Sequence, residues 1–225
     1  MVNYKIFHFN MYAAACTLVW GDDKRCAIFD PGCQNEAEKA ALTGFITREG
    51  LVPKAILLTH GHPDHICAVR YIQQLYGIPA DLSPADREML PLFQMFGKII
   101  KMDTDIAFTP TDATDGMEIR IGDTLRFKVI ATPGHTPGGT CYYNEEGEIL
   151  ISGDTLFAGS IGRTDFKGSD YDALIRSILE RLIPLPGDTL VIPGHGGNTT
   201  IGDERATNPF LEPFNEPLQE EDQGN

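Results

Sequence analysis

The run Thr59-His60-Gly61-His62-Pro63-Asp64-His65 constrains this chain more than any other segment. It places three imidazoles and a carboxylate in six consecutive positions, directly after the apolar run Ala55-Ile56-Leu57-Leu58. Four apolar residues bounded in this way read as a buried strand, so the cluster sits where a strand ends and the chain turns. The chain has six histidines, and half of them lie here. His135 and His195 each close a strand-like run with the triplet Pro-Gly-His, and only His8 falls outside the pattern. Imidazole and carboxylate are the usual ligands of zinc and other borderline transition metals. A single His-x-His arises easily on a surface loop. Five of six histidines at the ends of apolar runs, with an aspartate among them, do not. The pattern predicts a metal site with more than one ion.

A length of 225 residues suffices for one large domain with a substantial core. The net charge of −14 argues against a general binder of nucleic-acid backbones, which needs clustered Lys and Arg. It equally disfavours adhesion to anionic membranes. Five cysteines, an odd number with no Cys-x-x-Cys pair, argue for reduced thiols rather than a disulfide framework. Residues 1–5 show no signal-peptide pattern and no stretch reaches transmembrane length, so a cytoplasmic protein is expected.

Along the chain, Tyr12 to Trp20 and Cys26 to Phe29 read as strands, the second ending at Asp30-Pro31-Gly32. Asn35 to Arg48 has helical spacing and is stopped by Gly50. Lys54 to Thr59 is the strand that feeds the histidine cluster. Pro63 and Asp64 suit the opening of a helix that continues through Ile66, Val69, Ile72 and Leu75 to Gly77. Pro84 to Ile100 reads as helical with a break near Pro91, and residues 104–116 read as a loop. Strands return at Thr124–Ala131, Gly139–Tyr143 and Glu148–Ser152, the last ending at Gly153-Asp154. A helix over Tyr171–Ile183 and a strand over Thr189–Ile192 follow. Residues 1–207 form the predicted domain and 208–225 a short acidic tail.

Asp30, His60, His135, Asp154 and His195 each follow an apolar strand. If those strands point the same way, their ends converge on one rim, where loops carry chemistry over a rigid scaffold. His60 and His62 fall on the same side of extended backbone and can chelate one ion. Asp64 and His65 lie on the next turn and can reach a second, with His135 and His195 left to complete one set each. Asp154 is the natural bridge, because a carboxylate has lone pairs for two ions.

The pattern His-x-His-x-Asp-His followed by separate His, Asp and His positions resembles the metallo-β-lactamase superfamily. All seven positions match in order, from His60 to His195. The resemblance implies an α/β fold, a four-layer αββα sandwich with the metal site at one edge. It also implies that His60, His62 and His135 hold one ion, that Asp64, His65 and His195 hold the other, and that Asp154 bridges. Within the superfamily the chain resembles small glyoxalase II-type hydrolases, on Gly153-Asp154-Thr155-Leu156-Phe157, the segment Gly159–Phe166 and Asn208-Pro209-Phe210-Leu211. It differs in stopping about 30 residues after His195, in Gly197 where that group has a tyrosine, and in Cys67 where a glycine is usual. Arg163 stands in for a substrate-loop lysine.

The resemblance implies two divalent ions, zinc in first place with iron or manganese as alternatives. It implies hydrolysis of a small-molecule thioester by a metal-bridging hydroxide, with Asp64 and Asp154 as the catalytic carboxylates. A thiolate leaving group, with a parent pKa of about 8.5, needs little help from an acid. Arg163 is the expected substrate contact, in competition with an ion pair to Asp165. The alternative is a mono-iron persulfide dioxygenase of the same superfamily, on His60, His135 and Asp154. A β-lactamase, a lactonase and a nuclease rank lower, and a non-enzymatic binding module lowest. The stripe Met89, Leu92, Phe93, Phe96 is expected in the core, ahead of a role in a substrate groove.

Overall fold

A computed structural model describes residues 1–102 and 104–214. Two six-stranded sheets lie face to face. The first runs β1 (Asn3–Phe9), β2 (Ala14–Trp20), β3 (Arg25–Phe29), β4 (Val52–Leu57), β5 (Ala80–Leu82) and β6 (Thr111–Asp112). The second runs in the spatial order β14 (Thr199–Thr200), β13 (Leu190–Pro193), β10 (Ile149–Gly153), β9 (Thr140–Asn144), β8 (Leu125–Ala131) and β7 (Glu118–Ile121). A small ribbon pairs β11 (Leu156–Phe157) with β12 (Ser160–Ile161). The helices are α1 (Glu36–Glu49), α2 (Pro63–Ile66), α3 (Val69–Tyr76), α4 (Pro84–Ile99), α5 (Tyr171–Ser177) and α6 (Ile201–Thr207).

The period-2 alternation of strands decides the layering. On β3, Cys26 and Ile28 pack with Leu42 and Ile46 of α1 and Val69 and Ile72 of α3. The intervening Ala27 and Phe29 face the second sheet, against Phe127 and Tyr142. The outer face of the second sheet, with Leu150 and Val191, is covered by Leu174 and Ile178 and by Ile201 of α6. The order is helix, sheet, sheet, helix, the expected αββα sandwich.

Strand direction places the site. β3, β4 and β5 are parallel neighbours. β10 and β13 are parallel, and β8 points with them because β9 is antiparallel to both β8 and β10. Asp30, His60, His135, Asp154 and His195 therefore emerge from strand ends on a common rim. A hydrogen bond from Ala15 N to Gly194 O, 2.7 Å, closes that rim between the sheets.

The structure departs from the sequence reading in several places. The helix expected from Pro63 to Gly77 is two helices, α2 and α3, because Ala68 leaves helical geometry and its N–H bonds Pro31 O instead. Helix α4 passes through Pro91 without a break. Pro91 is exposed, and the burial of Leu90 and Phe93 on either side outweighs one lost backbone bond. The helix from Tyr171 ends in a π-helical turn, Ile178–Leu182. Strands β1 and β7, and the two-residue β6 within the loop expected over 104–116, carry too few buried residues to show in the pattern. After α6 a 3₁₀ turn spans Pro209–Phe214, with Leu211 buried under the second sheet. Residues 215–225 of the expected acidic tail lie outside the described residues. No helix among the described residues is long and apolar enough to cross a membrane.

Candidate metal centre

The seven sequence-predicted ligands converge as two triads around one carboxylate. His60, His62 and His135 offer ligand atoms within 4.8 Å of one another, and so do Asp64, His65 and His195. His62 Nδ1 and His135 Nε2 stand 3.0 Å apart, and His65 Nε2 and His195 Nε2 stand 3.3 Å apart. Asp64 Oδ2 is 3.3 Å from His195 Nε2 and 3.6 Å from His65 Nε2. Asp154 sits between the groups. Its Oδ2 is 3.5 Å from His135 Nε2, 3.6 Å from His195 Nε2 and 4.0 Å from His60 Nε2. Its Oδ1 is 3.6 Å from His65 Nε2.

The outward nitrogens fix which atoms face inward. His65 Nδ1 meets Asp30 Oδ2 at 3.1 Å, His135 Nδ1 meets Arg163 O at 2.7 Å, and His195 Nδ1 meets Tyr12 O at 3.0 Å. Each acceptor calls for an N–H at Nδ1, which leaves the Nε2 lone pair pointing into the site. His60 is held by a relay. Thr59 Oγ1 donates to Asp30 Oδ2 at 2.6 Å and so accepts from His60 Nδ1 at 3.0 Å. Asp30, His60 and His65 also cluster, but these bonds commit the Asp30-facing nitrogens to donation, so this is a hydrogen-bonded support and not a third ion site.

Lone pairs converging in this way need a cation. His60 Nε2 and Asp154 Oδ1 are buried with no hydrogen-bond partner. Unsatisfied buried polar atoms cost about 1–3 kcal/mol each, a cost that a metal ion removes by coordination. The donor set of nitrogen and carboxylate oxygen suits zinc, iron or manganese.

The electrostatics agree. Burial, then its histidine neighbours, drives His60 far below the ordinary imidazole range. Burial and then His135 bring His62 down to about 3. Burial also opposes charge on His65, yet Asp64, Asp154 and Asp30 raise it to about 10. His195 is raised despite burial, by Asp64 and Asp154. Burial alone would raise Asp64, but His65 and His195 hold it well below the usual carboxylate range. Without metal these carboxylates favour the imidazolium form of His65, with a second proton on Nε2, and it is that proton that metal must displace. Zinc uptake near neutral pH is therefore expected to release at least one proton per chain, with affinity rising as pH rises. Titration calorimetry in buffers of different ionisation enthalpy checks this, and uptake without proton release would refute the assignment of His65.

Two backbone approaches demand glycine. A Cβ on Gly194 would lie 2.1 Å from Asp154 Oδ1, and one on Gly61 would lie 2.8 Å from the Phe93 ring.

Asp86, on α4, is a residue that sequence reasoning missed. It is fully buried. Its carboxylate accepts from Gly61 N at 2.8 Å, Thr136 Oγ1 at 2.9 Å and Gly138 N at 2.7 Å. Gly61 lies between His60 and His62, and Thr136 follows His135. One side chain thus ties down the loops that carry the first triad. Burial pushes its carboxyl above the usual range, against the pull of these three donors. The Thr59 hydroxyl and the Tyr12 and Arg163 carbonyls were missed as well. Asp30 was placed on the rim but given no role.

A cleft of about 440 Å³ opens over the site, lined by Tyr12, Phe96, Ile100, Phe157, Phe166 and the ligands that face it. Arg163 lines it too, but its guanidinium is already paired in a fork with Asp165, at 2.9 and 2.7 Å, and lies over the Phe166 ring. The stripe on α4 divides. Met89 and Phe93 pack into the core, as expected, whereas Phe96 walls the cleft and Leu92 a smaller pocket beside it. Cys67 is a packed thiol donating to Gly32 O, and burial pushes it up to about 12.

The model of the metallo-beta-lactamase superfamily matches residues 11–195. Hydroxyacylglutathione hydrolase GloC of Haemophilus influenzae is 39% identical over 217 residues, covering 93% of this chain and 98% of that protein. Among solved structures, BLEG-1, a B3 metallo-beta-lactamase, superimposes with a TM-score of 0.85 at 40% identity, covering 93% of this chain and 99% of that one. TTHA1623, in a di-iron-bound form, gives a TM-score of 0.82 at 36% identity over 92% of this chain and 100% of that one.

Proposed function

Because the chain belongs to the metallo-beta-lactamase superfamily and carries its metal-binding histidine–aspartate site, we propose that it is a metal-dependent hydrolase of thioesters, of the hydroxyacylglutathione hydrolase type. The observation that carries this reading is the complete second triad, Asp64, His65 and His195, beside the first, with Asp154 reaching both. A mono-iron dioxygenase would use His60, His135 and Asp154 and leave that triad idle. Similarity to the H. influenzae hydroxyacylglutathione hydrolase supports the same choice.

On this reading His60, His62 and His135 hold one divalent ion, Asp64, His65 and His195 hold the second, and Asp154 serves both. Zinc is our first choice and iron the alternative, the latter in keeping with the di-iron relative; manganese ranks third. Bound there, the two ions would lower the pKa of a water toward neutrality and polarise the substrate carbonyl. The chain's own groups do the rest. Asp64, kept ionised by His65 and His195, presents a carboxylate oxygen at the cleft surface to orient the attacking water. Asp154 supplies the negative charge between the two triads. Phe96 and Phe166, beside the first triad, and Phe157, beside His195, line the cleft with apolar rings that limit bulk water. A thiolate leaves without an acid at its side, its parent pKa being about 8.5. Arg163 is our candidate for an anionic arm at the mouth, on condition that its pair with Asp165 opens. We place the protein in the cytoplasm, acting on a small molecule, with neither nucleic acid nor membrane as partner.

The test is zinc-loaded protein offered lactoylglutathione and simple thioesters, with thiol release and oxygen uptake followed together. Thiol release without oxygen uptake is expected. Oxygen consumption with glutathione persulfide, or opening of a β-lactam ring, with thioesters untouched, would overturn the proposal.

A further inference from the structure

The second triad is braced by a side chain that lies outside it. Asn10 opens the turn between β1 and β2 with a φ of 56°. Asparagine is among the few residues besides glycine that adopt this left-handed backbone readily. Its backbone N–H donates to Glu38 Oε1 of α1 at 2.9 Å, which ties the turn to the body of the protein. Its side-chain amide then reaches two ways. Nδ2 donates to Asp64 O at 2.9 Å and to Gly32 O at 3.0 Å. Oδ1 accepts from Tyr12 N at 2.9 Å. This orientation is forced, because carbonyls only accept and a backbone N–H only donates. Both arms lead to a ligand. In a continuous helix Asp64 O would pair with Ala68 N, but that N–H is turned to Pro31 O, and Asn10 supplies a donor instead. On the other arm, Tyr12 O is the acceptor for His195 Nδ1 at 3.0 Å. The approach is close: a Cβ on Gly32 would lie 2.0 Å from Asp64 O and 3.0 Å from Asn10 Nδ2.

We propose that Asn10 is a positioning residue for the second metal ion, its one amide setting the spacing between Asp64 and His195. It touches neither triad through a ligand atom. The inference rests on the two-ion reading and is independent of which thioester is cleaved. Asp64 follows a strand of the first sheet and His195 a strand of the second, so no single ladder of strand hydrogen bonds fixes their 3.3 Å separation. The bond from Ala15 N to Gly194 O docks β2 beside His195, and Asn10 carries that register on to α2. Asp86 plays the matching part at the first triad, with one difference. Asp86 is fully buried, whereas Asn10 is half-buried, so removing the Asn10 amide should weaken metal binding more than it weakens the fold.

The test is zinc binding by Asn10→Gly, which keeps the left-handed backbone and removes only the amide. Competition with a chromophoric chelator should show one of the two zinc dissociation constants raised by about 10–100-fold and the other within about twofold of the parent. The sites are told apart in two backgrounds. In His195→Ala, which leaves the first triad whole, Asn10→Gly should change the remaining constant by no more than about twofold. In His62→Ala, which leaves the second triad whole, it should raise it by about 10–100-fold. Cobalt-substituted protein reports the geometry directly. The shifted Nδ1–H signal of His195 should exchange with solvent faster in Asn10→Gly, while that of His135, whose acceptor is Arg163 O, stays as in the parent. Asn10→Asp keeps the acceptor for Tyr12 N and loses the donors, so it should retain the parent His195 signal and still lose zinc. Equal loss from both sites, or a lower melting temperature with both constants and the His195 signal unchanged, overturns the inference while the two-ion reading stands. A parent protein that takes up a single zinc ion overturns that reading, and the inference falls with it.

Discussion

Replacing Asp154 with alanine is expected to reduce bound metal from two ions per chain to one or none, and to lower hydrolysis by at least about 10³-fold. The magnitude follows from position. Asp154 Oδ2 lies within 4.0 Å of His60, His135 and His195, and Oδ1 lies 3.6 Å from His65. No other carboxylate among the described residues reaches both triads at those distances. The variant also brings five imidazoles together without the central negative charge, so its remaining ion should be held weakly and lost on dialysis. Elemental analysis after dialysis, alongside the melting temperature, checks the result. Two tightly held ions in Asp154→Ala would show that the carboxylate does not bridge.

The second large effect is expected at a residue that contacts no ligand atom. Asp86→Ala removes the acceptor for Gly61 N–H, Thr136 Oγ1–H and Gly138 N–H in a fully buried place. With about 1–3 kcal/mol for each stranded donor, partly relieved by relaxation, a loss of about 3–5 kcal/mol is expected. In a chain of this size that is a fall in Tm of about 10 °C. Zinc affinity should fall by about 10–100-fold, the usual result of freeing an outer support of metal ligands. Asp86→Asn keeps the shape and one acceptor, and should lose less of both. An alanine variant within 2 °C or so of the parent Tm, binding zinc as tightly, would remove Asp86 from any positioning role.

These two residues also mark how far the sequence could be read. Asp154 was legible because metal chemistry admits few residue types, and because its position after a strand repeats that of His60, His135 and His195. The layer order was legible for a similar reason, since strands such as β3 and β8 carry their burial pattern in their own residues. Asp86 was not legible. Its meaning comes from Gly61 and Gly138, 25 and 52 positions away, and an aspartate in the first turn of a helix is ordinary. The Tyr12 and Arg163 carbonyls are backbone atoms, which no residue type advertises. Edge strands such as β1 are half exposed and blur their alternation. At Pro91 the local rule for helices is correct in isolation and is overridden by the packing of Leu90 and Phe93.

Helix α4 joins two of these stories. Asp86 stands in its first turn, and Leu92 and Phe96 follow on the same rod, the former only about 9 Å further along. A rod that moves at one end moves at the other, so any slide of the helix that widens the pocket beside the cleft would also pull the cord on Gly61 and Gly138. Change along this part of the wall is thereby left to exchanging side chains at positions 92, 96 and 166. Across descendants of this chain, variety should gather at those three positions while position 86 holds still, an inherited division between what can drift and what is moored.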